Sequence, residues 1–143
     1  MPDASPTARV IRYFETLSPA ALAGIDTVYA RQARFKDPFN DVQGTTAIRR
    51  VYAHMFETLA EPRFVVLDST LAHRRCCLVW QLHFRQAGSG KPRVVHGSSY
   101  LRYDAEGRIE LHRDYWDAAE EIYEHVPLFG RLLRAVKRRL AAR

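Results

Sequence analysis

Arg34 to Leu59 reads RFKDPFNDVQGTTAIRRVYAHMFETL, and this stretch decides the fold. A half-apolar segment ends at Asp37-Pro38, a tight loop runs to Gly44, and a helical pattern then begins. Within that pattern Ile48, Val51, Tyr52, Met55, Phe56 and Leu59 recur at steps of three and four, forming one continuous apolar stripe. Thr45 or Thr46 can cap its first turn. Asp37 has two readings. It is either a turn residue, since Asp-Pro favours turn initiation, or a carboxylate aimed into a cavity that this helix and a sheet enclose.

Upstream, Ser5-Pro6 reads as an N-cap followed by proline at the first helical position. Val10, Tyr13, Phe14 and Leu17 share one face of that helix. Ser18-Pro19 ends it, and a second short helix carries Leu22, Ile25, Val28 and Tyr29 before a brief strand over Ala33 to Lys36. Downstream of Glu61-Pro62 the period changes from 3.6 to 2. Strands are expected over Arg63–Leu71, Arg75–Gln86, Pro92–Tyr103 and Ile109–Trp116, with Gly88-Ser89-Gly90 as a hairpin loop. Cys76, Leu78, Trp80, Leu82 and Phe84 fall on one face of the second of these, and Val95, Gly97, Ser99 and Leu101 on one face of the third. Asp117 and Glu120 match a capping box that opens a final helix, interrupted near Pro127 or Gly130.

A chain of 143 residues with 47% hydrophobic residues makes one domain with a sizeable core. No apolar run approaches the length of a transmembrane helix, and MPDASPTARV lacks the apolar centre of a signal peptide, so a cytoplasmic location is the expectation. The only cysteines, Cys76 and Cys77, are strand neighbours pointing to opposite faces, which argues for packing rather than pairing. The net charge of +6 is concentrated: Arg131 to Arg143 holds six basic residues and no acidic one, while the remaining 130 residues balance 16 against 16. A neutral body does not read as a nucleic-acid binder despite the pI near 9.7. The six histidines show no metal-ligand spacing, and there is no glycine-rich phosphate loop, serine nucleophile elbow or zinc-type cysteine pair. Neither a cofactor nor a metal is expected.

Helices first and hairpin-linked strands afterwards imply α+β: three N-terminal helices on a strongly curved mixed or antiparallel sheet, closing a cone-shaped barrel around a pocket. Residues 1–126 form this domain, and residues 127–143 a basic amphipathic helix. In element order from Val10 to Asp117 the chain resembles the nuclear transport factor 2-like superfamily, specifically its ketosteroid isomerase and SnoaL-like polyketide cyclase branches. The resemblance rests on Arg12-Tyr13, Tyr29-Ala30 closing the second helix, Lys36-Asp37-Pro38 ending a strand, and Gly44-Thr-Thr-Ala-Ile-Arg opening the third helix. It implies that Asp37 is a proton-shuttling base and that Tyr13 donates to a substrate oxyanion, an arrangement of the kind known from ketosteroid isomerase. Where those isomerases carry a protonated aspartate as second donor, the alignment places Ser99, a weaker donor. Leu111-His112-Arg113-Asp114-Tyr115-Trp116-Asp117 resembles the His-x-Asp-x-x-Asp ending of the cyclases, which implies acid/base work for Asp114. Dimerisation through the outer sheet face is also implied by the resemblance.

By strand alternation His112, Asp114 and Trp116 share a face. Two residues apart on a strand, His112 and Asp114 stand about 7 Å from each other, a spacing for two groups lining a pocket rather than for a hydrogen-bonded dyad. The expected site thus has Asp37, Asp114 and Tyr13 as catalytic groups, with Ser99, Trp80, Leu82, Phe84, Trp116, His112 and Phe56 around a small hydrophobic ligand. A carboxylate among these aromatics is desolvated, which suits a general base. The expected activity is cofactor-independent isomerase or cyclase chemistry on a hydrophobic carbonyl compound, or a water-activating hydrolase or dehydratase variant. The alternative is a non-catalytic ligand-binding or protein-interaction domain, since the fold hosts unrelated functions. The stripe Leu128, Leu132, Leu133, Val136 and Leu140, ringed by basic residues, suits either packing on the domain or a dimer mate, or a membrane surface.

Overall fold

The computed structural model describes residues 5–142. Helix α1 (Pro6–Glu15) starts at Ser5, whose hydroxyl accepts from the Ala8 amide, and buries Val10 and Phe14. A 3-10 helix (Ala20–Thr27) buries Leu22 and Ile25. Strand β1 (Tyr29–Lys36) turns through Asp37–Asn40 into the short β2 (Asp41–Gln43), and helix α2 (Thr45–Thr58) follows. Four long strands come next: β3 (Ala60–Ala72), β4 (Arg75–Arg85), β5 (Pro92–Tyr103) and β6 (Ile109–Tyr115). The chain closes with a single-turn helix α3 (Ala118–Glu121), a 3-10 turn (Tyr123–His125) and helix α4 (Phe129–Leu140).

The six strands form one sheet in the order β2-β1-β6-β5-β4-β3. All neighbours run antiparallel except β1 and β6, which are parallel, so the sheet is mixed. Its concave face carries the alternating residues expected from the sequence: Cys76, Leu78 and Trp80 on β4, and Val95, Leu101 and the polar Ser99 on β5, are all buried. Cys76 is buried and Cys77 exposed, both as free thiols. Helix α2 lays Ile48 and Tyr52 over this face, and α1 covers the other end with Val10 and Phe14. The α+β cone expected from the sequence is therefore the fold.

Local expectations needed correction in four places. The N-cap of α2 is Gly44, not a threonine; its φ of +93° is a conformation that glycine alone adopts freely. The second helix is 3-10 rather than α and stops at Thr27, so Tyr29 opens a strand instead of closing a helix. The loop after Pro38 contains strand β2, and β3 runs straight through Glu61-Pro62. There the pairing with β4 slips between Ala60 and Arg63, a bulge that accommodates a residue without an N–H. Finally, α4 does not turn its stripe inward: Leu128, Leu132, Val136 and Leu140 are exposed. Arg143, the end of that expected segment, lies outside the described residues.

Candidate active site

A cavity of about 200 Å³ lies between α2 and the concave sheet face. Its lining combines Phe35, Tyr52, Phe64, Trp80, Leu82, Phe84, Val95 and Trp116 with two carboxylates, Asp37 and Asp114. Deeper in, a chamber of about 20 Å³ is bounded by Phe14, Tyr52, Phe64, Val66, Trp80, Ser99, His112 and Asp114. That volume holds about one water molecule, and Ser99, His112 and Asp114 supply polar atoms around it. Tyr52, Phe64, Trp80 and Asp114 border both spaces.

The polar groups at this depth form one continuous hydrogen-bonded chain. Tyr52 and Tyr29 hydroxyls meet at 2.7 Å, and the Tyr29 hydroxyl lies 2.7 Å from His112 Nδ1. His112 Nε2 lies 2.6 Å from Asp114 Oδ1. Ser99 donates its hydroxyl proton to the same Oδ1, and Trp80 Nε1–H donates to Ser99 Oγ at 2.8 Å. Sheet register explains the assembly. Ser99 sits directly opposite Asp114 across β5 and β6, Leu101 opposite His112, and Phe35 beside His112 on the parallel strand β1. Pairing slips between Tyr29 and Arg34, so Tyr29 reaches the same imidazole from farther up β1, stacked on it at 5° between planes. Phe14 and Phe35 complete an aromatic box around the His112 ring at 5.6 and 4.7 Å.

His112 and Asp114 thus make the direct bond that a 7 Å strand spacing argued against. Both side chains lean along the strand toward each other, because the box fixes the imidazole and Ser99 fixes the near carboxylate oxygen. Both bonds to the carboxylate fall on Oδ1. Among the described residues Oδ2 has no hydrogen-bond partner, and the residue lines both the chamber and the cavity.

Proton positions in the chain follow from donor arithmetic. An ionised Asp114 accepts from Nε2–H, so a neutral imidazole must accept at Nδ1 from Tyr29, and Tyr29 in turn accepts from Tyr52. Burial pushes both phenols well above the ordinary tyrosine range, with Tyr52 raising Tyr29 further and Asp114 adding its negative field to both, while the bond to Tyr29 pulls Tyr52 partly back. They are therefore neutral donors throughout the physiological range. One proton more on the His112–Asp114 pair reverses the chain: Nδ1–H donates to Tyr29, Tyr29 to Tyr52, and Tyr52 O–H is released to donate into the cavity.

Asp37 is held differently. Its Oδ1 accepts from the Phe39 amide at 2.8 Å, the Asn40 amide at 2.6 Å and Asn40 Nδ2 at 3.0 Å, and Oδ2 also faces Asn40 Nδ2 at 3.1 Å. Its own amide donates to the Asn40 carbonyl, closing the β1–β2 turn. Asp37 is at once the turn residue and a wall of the cavity, with its lone pairs occupied by amide donors. Tyr13 is not brought to the site. Its hydroxyl donates to the Ala21 carbonyl at 3.0 Å, because the face of α1 that meets the inner chamber is that of Phe14. Burial raises the Tyr13 phenol's pKa. Phe56 packs against the core outside the cavity lining. Trp80, Leu82, Phe84 and Trp116 do line it.

Sequence reasoning missed Tyr29, Tyr52 and Asn40. A signal for Tyr52 existed: a tyrosine within a buried stripe needs a partner for its hydroxyl, which an aliphatic residue would not. Among the described residues no group of three or more His, Cys, Asp or Glu side chains is placed to hold a metal ion.

A family model for the SnoaL-like domain matches residues 10–112. No curated protein matches the sequence. Among solved structures, an NTF2-like protein of unknown function from Burkholderia pseudomallei K96243 superposes with a TM-score of 0.72 at 18% identity, over 83% of this chain and 96% of the other. A protein with a ketosteroid isomerase-like fold from Catenulispora acidiphila, in complex with trimethylamine, gives 0.70 at 16% identity over 85% and 91%. One described as a SnoaL-like polyketide cyclase from Jannaschia sp. CCS1 gives 0.71 at 18% identity over 80% and 87%.

Proposed function

The chain belongs to the SnoaL-like family of the NTF2-like superfamily, and on that premise we propose that it is a cofactor-independent acid/base enzyme acting on a small hydrophobic carbonyl compound, with Asp114 as the base. The observation that carries this reading is the position of Asp114. It is bonded on one oxygen by His112 and Ser99, free of partners on the other among the described residues, and set at the junction of a one-water chamber and an aromatic cavity.

Oδ2 takes a proton from the carbon next to the substrate carbonyl, and the electron pair of that C–H bond moves to the carbonyl oxygen as an enolate. Returning the proton to a different carbon isomerises the substrate. Attack of the enolate on a second carbonyl of the same molecule closes a ring, and the resulting alkoxide takes the proton back. His112 and Ser99 hold the carboxylate's orientation through both steps. With the His112–Asp114 pair carrying an extra proton, Tyr52 is the donor available to a substrate oxygen, the role expected of Tyr13 from the resemblance. Asp37 serves in this reading as a wall of the cavity. A cavity below the roughly 300–1,000 Å³ of drug-sized sites favours a compact ligand over a long one.

A second reading is favoured by the chamber. A single water bonded to Asp114 and Ser99 could be deprotonated and delivered into the cavity, giving hydrolysis or hydration. The two separate in one experiment: incubation of a panel of small β-diketones, enones and epoxides with the protein in deuterated water. Deuterium incorporated at the carbon next to a carbonyl, lost in Asp114→Asn, supports carbon acid chemistry; addition of solvent oxygen supports the water reading. Binding without either change leaves a ligand-binding domain. The superfamily resemblance also motivates a homodimer through the outer sheet face, where Val79 and Tyr115 are exposed.

A further inference from the structure

Helix α4 is inside out for a helix that packs on its own domain. It is tied to the preceding 3-10 turn, where Lys137 Nζ forms an ion pair with Glu124 at 2.9 Å and Arg134 donates to the Glu124 carbonyl at 2.8 Å. At 100° per residue Arg134 lies on the side of the helix opposite the apolar stripe, and Lys137 lies at the stripe's edge. Most of the stripe faces outward, with Leu128 78%, Leu132 59% and Leu140 81% exposed and Val136 and Phe129 beside them, while Leu133 is half-buried. Amphipathic helices of globular proteins turn this face to the core, so burial elsewhere is needed to account for it.

Charge indicates what buries it. At 100° per residue Arg139 and Lys137 border the stripe on its two sides and Arg131, Arg134 and Arg138 occupy the opposite, polar face; no acidic residue occurs from Arg131 onward, and the rest of the chain is neutral. A second copy of this chain would bring the same excess positive charge to the contact. A surface carrying anionic headgroups over an apolar layer meets both the charge and the stripe, and long arginine stems can lie along it with their guanidinium groups at the headgroups. No described helix is long and apolar enough to cross a membrane, so the geometry is that of a helix lying in the interface.

We infer that α4 docks the protein on anionic lipid surfaces through Phe129, Leu132, Val136 and Leu140, with Arg139 beside the stripe at the headgroups and Arg131 and Arg138 adding positive charge from the polar face. Docking has a consequence for the cavity. Aromatic contacts run from the lining residue Trp116 to Phe39 at 5.5 Å, from Phe39 to Tyr123 at 6.2 Å, and from Tyr123 to Phe129 at 5.8 Å. The docked helix is therefore joined to the cavity wall, and the cavity is held close to a phase that concentrates hydrophobic compounds. The inference rests on α4 alone and does not depend on the chemistry assigned to Asp114.

The experiment is flotation of the full chain with vesicles of phosphatidylglycerol and phosphatidylcholine in equal parts, against vesicles of phosphatidylcholine alone. The protein is expected to float with the anionic vesicles only, and high salt should release most of it. The pair Leu132→Glu and Val136→Glu, both at exposed positions and so tolerated by the fold, should lower vesicle affinity at least about tenfold. Replacing Arg131, Arg138 and Arg139 by Gln should act in the same direction with the stripe intact. Failure to float with anionic vesicles overturns the inference, as does equal binding to both vesicle types. So does a drop in the oligomer mass of the glutamate variant by light scattering without any vesicle binding by the parent chain, which would assign the stripe to a second copy.

Discussion

Ser99 and Asp114 stand directly opposite one another on β5 and β6, and the serine hydroxyl donates to the same carboxylate oxygen that His112 approaches from along the strand. One oxygen is thus fixed from two sides while the other is left to the cavity. If that free oxygen is the base, Asp114→Asn should lower kcat by about 10²–10⁴-fold on whatever substrate the deuterium screen identifies. Asp37→Asn, whose carboxylate is occupied by backbone and Asn40 amides, should cost less than about tenfold on that scale. Equal losses from the two substitutions would move the base assignment away from Asp114.

Tyr29 bridges Tyr52 and His112, so its hydroxyl satisfies two buried groups at once. Tyr29→Phe leaves Nδ1 of His112 and the Tyr52 hydroxyl without their partner, at a cost of about 1–3 kcal/mol in urea unfolding. Because Tyr29 touches the substrate space only through Tyr52, it is a positioning residue. Its loss should lower kcat with little change in KM and alter the shape of the pH–rate profile. A variant with wild-type kcat and pH profile, but lowered stability, would reduce the chain to a structural network.

The two buried phenols also set an alkaline limit. Their folded pKa values lie above the ordinary tyrosine range, chiefly because burial disfavours the phenolate. In the unfolded chain both ionise near pH 10, so above that pH the unfolded state releases protons that the folded state keeps. Stability from this source is full below about pH 10 and declines as pH rises beyond it. Ultraviolet titration should show Tyr29 and Tyr52 ionising only as the fold is lost, and Tyr29→Phe should delete part of that late step. A titration in which all seven tyrosines ionise together near pH 10, with the fold intact, would contradict the burial argument.

How much of this was legible in the sequence depends on which interactions carry the information. Period and punctuation are local, and they located α1, α2 and all four long strands, including which face of β4 and β5 is buried. Which face Asp114 and Ser99 take followed from strand parity, while their selection as site residues came from the family resemblance. The relay did not follow. It depends on β1 lying parallel to β6, a pairing of residues about eighty positions apart, and on a register slip between Tyr29 and Arg34 that no single-strand pattern encodes. Tyr13 and Tyr52 illustrate the limit: each is a tyrosine on an apolar helix face, and only the packing decides which hydroxyl meets the Ala21 carbonyl and which meets Tyr29.

Gly97 offers a test of how the cavity wall is made. A Cβ at this position would lie 2.3–2.8 Å from three carbons of the Trp80 ring, because the indole lies flat across β5 to reach Ser99. Alanine cannot coexist with that ring position, and the contact is with a side chain held by its own hydrogen bond rather than with a mobile end. Gly97→Ala should therefore lift the indole off the strand into the cavity, break the bond to Ser99, and cost about 1–3 kcal/mol through overpacking. Trp80 fluorescence should change in wavelength and quenching, and ligand affinity should fall because the ring now occupies ligand space. Asp114 keeps His112 as a partner, so chemistry on the ligand that still binds should survive better than binding does. Unchanged tryptophan emission with wild-type stability would mean that the indole does not lie across Gly97.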